Sequence, residues 1–131
     1  MENKIEISPI SFSKILVQKK EKLEGKISIS QNIHFSSFER IDENTLKISF
    51  SFQLDYKEFA QIILEGYFHL KSDKKILKNI LEGWDKKNLD PSFQNLFLNI
   101  ILNKCVIKSL LLEEEFGLPL HIKINTLPKQ N

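Results

Sequence analysis

The side chains best suited to nucleophilic, acid–base or metal chemistry are sparse in this chain. Its three histidines, His34, His69 and His121, lie far apart in sequence, and none has a Cys, Asp or Glu at a recognised metal-ligand spacing. We therefore interpret them as half-exposed positions on strands. The single cysteine, Cys105, lies in a long apolar run, excludes an internal disulfide and is expected to be a buried small hydrophobe.

The densest group of acids is Glu113–Glu115, near the end of a predicted helix. Three consecutive helical residues point in three directions, so these carboxylates are predicted to form a solvated helix end rather than a metal or acid–base site. Acids at this end of a helix are mildly unfavourable, which leaves room for a cationic partner. The chain also lacks a glycine-rich phosphate loop, G-x-S-x-G, H-E-x-x-H and paired cysteines. We expect no catalytic residue, metal site or cofactor, and a protein that is not an enzyme.

The composition is that of an ordinary globular protein, with 41% hydrophobic and 27% charged residues. With 131 residues in total, positions 1–131 are expected to form one domain with a single core. The N-terminus lacks the apolar segment of a signal peptide, and asparagines and lysines interrupt the most apolar stretch, Leu96–Leu112. We expect a cytoplasmic protein, in a host cytoplasm if it is viral, without membrane association.

Positive charge comes almost entirely from lysine. The chain has 18 lysines, one arginine (Arg40) and a formal net charge of +2. Arginine is the usual residue for bidentate contacts to bases and phosphates, and no lysine run here has interleaved aromatic residues. Nucleic-acid binding is therefore disfavoured.

Alternation of apolar and polar residues predicts an antiparallel sheet of three or four strands. Thr45–Tyr56 has an apolar or aromatic residue at every even position, and Lys26–Phe35 repeats the alternating pattern. The polar segment between them, Ser36–Asn44, is predicted to contain the turn. Phe59–Leu70 follows after a junction short enough only for an antiparallel neighbour.

Two further features concern the edges of this sheet. Gly66 falls on the apolar face of its strand, where a glycine marks a bulge, a bend or a close approach. The segment from Ile10 to about Lys19 fits a strand or a short helix, and its β-branched residues favour the strand.

The apolar period then changes to that of two helices, which gives an α+β fold class. Asp73 is the predicted N-cap of a short amphipathic helix, which Gly83 and the polar segment Asp85–Asn88 end. Asp90-Pro91 starts a long apolar helix, which ends at Phe116 with Gly117 as the left-handed C′ residue.

The long helix is apolar around most of its circumference. One predicted face carries Phe93, Leu96, Phe97, Ile100, Ile101, Ile107 and Leu111. Because one sheet covers only one side of a helix, the apolar residues outside this face are predicted to contact a second protomer in a homo-dimer or tetramer. These candidate interface residues are Leu98, Leu102, Val106 and Leu110.

Aromatic and apolar residues from the sheet, the helix hairpin and the tail are predicted to line a groove that binds apolar polypeptide segments. The candidates are Phe59, Tyr67, Trp84, Leu89, Phe93, Leu118 and Leu120. The alternative is that these side chains belong to the ordinary core.

The order of elements resembles that of the export chaperone SecB family, which has a four-stranded antiparallel sheet, a short helix and a long helix. In that family the long helix ends in a glycine and an extended "F-P-x-L-x-L-x-P" segment follows. The matching positions here are Gly117, Leu118, Pro119, Leu120, Ile122, Ile124 and Pro128. The chain also looks like uncharacterised small archaeal proteins that carry "I-x-N-x-I-L-x-K-C", matched in part by "NIILNKC". Its Lys- and Ile-rich composition would suit a crenarchaeal host or one of its viruses.

The SecB resemblance implies an oligomer that holds unfolded polypeptide in hydrophobic grooves without ATP. The chain departs from that family in being slightly basic and in lacking an acidic C-terminal tail. We therefore expect a non-enzymatic, SecB-like chaperone or binding protein for unfolded or apolar polypeptide. The alternative is a small interaction protein, cellular or viral, that binds one protein partner (a host protein if it is viral) or nucleic acid through a lysine-rich surface.

Overall fold

A computed structural model describes residues 5–20 and 27–122 of the chain. Within these residues two helices follow a set of five strands, which confirms the predicted α+β class. The strands are β1 (Glu6–Ile7), β2 (Ser11–Lys19), β3 (Ser30–Asp42), β4 (Thr45–Asp55) and β5 (Ala60–Lys71). The helices are α1 (Lys74–Asp85) and α2 (Pro91–Phe116).

The five strands form four antiparallel rows, in the order β1 and β2, then β5, β4 and β3. β1 and β2 share a row because both pair with β5 at successive positions, with Ser11 of β2 opposite Tyr67. Ser8, in the break between them, still exchanges hydrogen bonds with the backbone of His69. The predicted strand over Ile10 to Lys19 is confirmed as β2.

One face of β4 and β5 forms the core, as the alternation predicted. In the pairing register Ile48 lies opposite Phe68 and Phe52 opposite Leu64, and all four side chains are fully buried. The other face is half-exposed and mostly polar. Burial on one face only is what fixes this register, since a shift by one residue would move every apolar side chain into water.

The bounds of β3 differ from the prediction. The strand begins at Ser30 and runs to Asp42, through most of the segment predicted to contain the turn. A register shift between Phe35 and Ser37 changes which residues face the core, so that Phe38 is buried although its sequence neighbours are polar. The turn is confined to two residues, and the Asp42 carboxylate accepts the Asn44 N–H at 2.8 Å. This hydrogen bond lowers the pKa of Asp42.

Gly66 marks a close approach and faces a bulge, as its position in the strand suggested. A Cβ atom at Gly66 would lie 2.5 Å from the backbone oxygen of Ser11. The register of β2 against β5 shifts between Phe12 and Lys14, next to this contact. The glycine therefore allows β2 to approach β5 closely where β2 bends.

The caps of both helices are confirmed. Asp73 accepts the Ile76 N–H, and Asp90 accepts the Ser92 N–H, each at 2.8 Å. At the end of α2, Gly117 has a φ of 66°, which favours glycine. The N–H groups of Gly117 and Leu118 donate to the carbonyl oxygens of Glu114 and Glu113, which is a Schellman motif.

α1 ends at Asp85, the first residue of the polar segment predicted to end it, and Gly83 lies inside its last turn. One prediction about the segment after α2 needs correction. The chain after Gly117 is not a strand as far as Ile122, and the remainder of the predicted tail, with Ile124 and Pro128, lies outside the described residues.

The face of α2 that contacts the sheet also differs from the prediction. The buried residues of α2 lie along one side of the helix, mostly four residues apart. They are Phe97, Ile101, Cys105, Ser109, Leu112 and Glu113. Ile107 and Leu111, assigned to the buried face from the sequence, are 63% and 51% exposed. Because α2 is apolar on nearly every side, its own sequence did not identify the side that the sheet covers.

α2 is also long and apolar enough to cross a bilayer by length and composition, and it is the one such helix within the described residues. Its 26 residues contain an 18-residue stretch with a mean hydropathy of 1.5, of which 28% is buried. A helix that packs in the core of a soluble protein meets the same criterion.

Candidate functional site

An apolar groove lies between the N-terminal row of the sheet and the exposed side of α2. From the sheet it is lined by Ile10, Phe12 and Ile15, and from α2 by Lys104, Ile107, Lys108 and Leu111. Its volume is about 360 Å³. An adjoining cavity of about 380 Å³ extends it past Pro9 and Ile100 and shares Ile10, Lys104 and Ile107. We call this pair of cavities the edge groove.

The side chains of the edge groove include three well-exposed branched residues, Ile15, Ile107 and Leu111. Ile15 is 44% exposed, Ile107 63% and Leu111 51%. They come from two elements and face one concavity, rather than being scattered over the surface. A contiguous apolar surface of this kind is typical of an interaction site.

The backbone of β2 adds hydrogen-bonding groups beside this apolar surface. β2 pairs with β5 along one side, and no strand among the described residues pairs with its other side. An unpaired strand edge presents N–H and C=O groups that can hydrogen-bond to another extended chain. The edge groove therefore combines apolar side chains with a free strand edge.

A second cavity, of about 400 Å³, lies at the turn between α1 and α2. Phe35, Trp84 and Leu89 supply its apolar surface, and Lys87, with a positive φ of 55°, lies at its border. Trp84 stacks on Phe38 with ring centroids 4.6 Å apart. Trp84 is thus partly a core residue, which favours the alternative interpretation of this position.

The seven residues predicted to form one groove are divided among different places. Trp84 and Leu89 line the cavity at the helix turn, and Phe93 stacks on Phe97 beside the core. Tyr67 is on the other face of the sheet, where it contacts the His69 ring and Lys47 Nζ.

The remaining three are near the opposite end of α2 or the β4–β5 turn. Phe59 lies in that turn, where its carbonyl accepts the Lys20 N–H at 2.8 Å. Leu118 is buried, whereas Leu120 is 45% exposed. The predicted interface residues of α2 are all half-buried in the single chain: Leu98, Leu102, Val106 and Leu110.

A buried polar cluster joins Tyr56, Glu113 and His121. The Tyr56 hydroxyl donates a short hydrogen bond to Glu113 Oε2, and the His121 N–H donates to the same oxygen at 2.9 Å. Glu113 Oε1 lies 2.9 Å from His121 Nδ1. The side chains of Glu113 and His121 are 0% and 4% exposed. Two predictions were therefore wrong: Glu113 is not a solvated helix end, and His121 is not a half-exposed strand position.

The local structure explains how this cluster forms. The Schellman motif at Gly117 turns the chain back along α2, which returns His121 to Glu113, eight residues earlier. Glu113 continues the four-residue spacing of the buried residues Ile101, Cys105 and Ser109. This spacing is the sequence signal that could have identified Glu113 as buried. Glu114 and Glu115, off this row, are exposed as predicted.

The electrostatics of the cluster are those of an enclosed site. Burial, followed by the hydrogen bond to Glu113 and the charge of Glu113, raises the pKa of Tyr56. His121 Nε2 and Ser109 Oγ are buried without a hydrogen-bond partner among the described residues. Because solvent scarcely reaches these side chains, we interpret the cluster as a fastening of the segment after α2 rather than as a reaction site.

The other residues with reactive side chains are distributed as follows. His34 is exposed and His69 half-buried, each on a strand. Cys105 is fully buried, as expected, and burial raises the pKa of its thiol to about 12. Among the described residues no group of three or more His, Cys, Asp or Glu side chains is arranged to hold a metal ion.

Comparison with protein-family models, with curated proteins and with solved structures found no match to this chain.

Proposed function

We propose that this protein is a non-enzymatic, cytoplasmic binding protein that holds extended apolar segments of unfolded polypeptide in the edge groove. One observation carries the proposal: the free edge of β2 lies alongside exposed apolar residues of α2. An extended client can use both at once, because its backbone pairs with the strand while alternate side chains reach the apolar surface.

The energetics favour a client that is extended and apolar. Main-chain hydrogen bonds to β2 do not depend on the client's sequence, so they allow many clients. Burial of apolar surface stabilises the complex by about 25 cal/mol per Å². Ile15, Ile107 and Leu111 are all at least 44% exposed in the free protein and would lose that exposure to a bound segment.

The order of elements adds support. Four antiparallel rows, a short helix and a long helix that ends at Gly117 form the arrangement that the resemblance to the SecB family implies. That resemblance also implies a homo-dimer or tetramer, which we propose here as well. Light scattering tests this part: a 15.4 kDa monomer would contradict the oligomer without affecting the groove.

The groove is tested by suppression of aggregation of chemically denatured clients, measured by light scattering after dilution. The wild-type protein is expected to suppress aggregation of several unrelated clients at stoichiometric or lower amounts. The double variant Ile107→Glu/Leu111→Glu should lose this activity, because both substitutions place a charge where apolar client side chains bind. Both residues are exposed, so the variant should keep the wild-type circular dichroism spectrum and Tm.

The matched control is Asn99→Glu, which adds the same side chain to an exposed position of α2 outside the edge groove. It should retain full activity. Failure of the wild-type protein with every client, or equal activity of the double variant, would contradict the proposal. Salt-sensitive retardation of nucleic acid without client binding would instead favour the lysine-surface alternative.

A further inference from the structure

We infer that the edge groove selects apolar segments that also carry acidic residues, Asp or Glu, at positions two apart. This inference rests on the proposed function and specifies its client class. It is carried by the charged side chains of the groove, which are all lysines within the described part of the chain.

The lysines and the apolar residues of α2 alternate along one wall of the groove. Lys104, Ile107, Lys108 and Leu111 follow each other at spacings of three, one and three residues, which places them along one side of a helix. Each lysine thus has a branched apolar neighbour. A client that contacts this wall meets ammonium groups and apolar groups together.

No carboxylate within residues 5–20 and 27–122 neutralises either lysine. Among the described residues the ion pairs are Lys74 with Glu43 and His121 with Glu113, and no carboxylate pairs with Lys104 or Lys108. An acidic side chain from a client would therefore find two available partners. A lysine or arginine at the same client position would be repelled.

The spacing of the two lysines suits a β-strand. Residues four apart on a helix are separated by about 6 Å along the axis, at 1.5 Å per residue. Residues two apart on a strand point to the same side and are separated by roughly 6.6 Å. Acidic residues at positions i and i+2 of a strand paired with β2 can therefore each reach one lysine.

Two other occupants fit this surface less well. A second copy related by two-fold symmetry would bring Lys104 and Lys108 towards their own equivalents, which is unfavourable for like charges. A lipid surface offers acyl chains and anionic headgroups but no partner for the backbone of β2, and unpaired backbone groups are costly in an apolar medium. A peptide strand satisfies the apolar groups, the lysines and the strand edge together.

The test uses three fluorescent peptides of equal length that carry the same apolar residues and have Glu, Gln or Lys at two positions, two apart, on the same strand face as those apolar residues. Fluorescence anisotropy gives their dissociation constants at low and high salt. Exposed ion pairs are individually weak, so we expect about threefold tighter binding per lysine and roughly tenfold for the Glu over the Gln peptide at low salt. The Lys peptide should bind most weakly, and high salt should remove the differences.

The decisive variant is Lys104→Gln/Lys108→Gln, which should bind the Glu and Gln peptides equally. Its matched control is Lys74→Gln/Lys78→Gln, which removes the same charge at the same spacing from α1 and should keep the preference. Equal binding of all three peptides by the wild-type protein would overturn the inference and leave the proposed function standing. Binding of none of them would overturn both. Lysine-dependent sedimentation with phosphatidylserine vesicles, without a preference among peptides, would assign this face to a membrane and overturn the inference.

Discussion

The substitution Glu113→Gln distinguishes one acid of the Glu113–Glu115 run from its two neighbours. In the native protein the Glu113 carboxyl group makes three contacts, with the Tyr56 hydroxyl and with the N–H and Nδ1 of His121. Glutamine keeps the shape but has one acceptor oxygen in place of two. The variant therefore weakens two or more of these hydrogen bonds in a site without access to water.

The expected magnitude follows from these contacts. Hydrogen bonds to charged groups contribute about 1.5–3 kcal/mol and neutral ones about 0.5–1.5 kcal/mol, so each weakened bond costs about 1 kcal/mol. A buried donor left without an acceptor costs a further 1–3 kcal/mol, roughly. We expect Glu113→Gln to lower the free energy of unfolding by about 2–4 kcal/mol. The substitution also removes the desolvation cost of burying a charged carboxylate, which acts in the opposite direction. We expect the three contacts of Glu113 to contribute more than this cost.

The assay is urea denaturation followed by the fluorescence of Trp84, the single tryptophan, which stacks on Phe38. Glu114→Gln and Glu115→Gln are the matched controls, because both residues are exposed at the same helix end. They should change stability by less than about 0.5 kcal/mol. If Glu113→Gln is as stable as these controls, desolvation of the carboxylate offsets its hydrogen bonds, and the role assigned to the cluster is wrong.

Three further predictions concern the sheet and the core. Gly66→Ala should lower the free energy of unfolding by about 1–3 kcal/mol, measured by thermal denaturation. The reason is that its Cβ atom would lie 2.5 Å from a backbone oxygen of β2 that cannot move independently. An unchanged Tm would contradict this close approach. Cys105 should react with a thiol reagent only after unfolding, since it is fully buried and burial raises the pKa of its thiol to about 12. The thiol of the unfolded chain has a pKa near 9, so unfolding is favoured once the pH exceeds that value. The free energy of unfolding should therefore be unaffected by this group below pH 9 and fall as the pH rises towards 12. Cys105→Ala should reduce this pH dependence.

Much of the fold was predictable because its signals are local. The alternation in β4 and β5 has a period of two residues, and the caps Asp73 and Asp90 and the stop at Gly117 each depend on a few neighbouring residues. The extent of β3 was not predictable in this way. Its bulge reverses the side that faces the core, so Phe38 is buried on a strand whose local pattern indicates a polar turn.

The candidate site was predictable only in part. The sequence indicated an apolar protein surface that involves the long helix, but it grouped residues such as Tyr67 and Trp84 that lie on different sides of the sheet. The edge groove depends on β2 and α2, elements about 90 residues apart in the chain, and no local pattern reports such a contact. The same holds for Tyr56 and Glu113, which are 57 residues apart.

The kinds of elements, their order and most of their ends follow from local sequence, because hydrophobic period, caps and glycine conformation act within a few residues. Which side of α2 is covered depends on long-range packing. A helix that is apolar on nearly every side has no preferred face of its own, so the position of the sheet buries Cys105, Ser109 and Glu113 and leaves Ile107 and Leu111 exposed. That choice creates both the buried Tyr56–Glu113–His121 cluster and the edge groove.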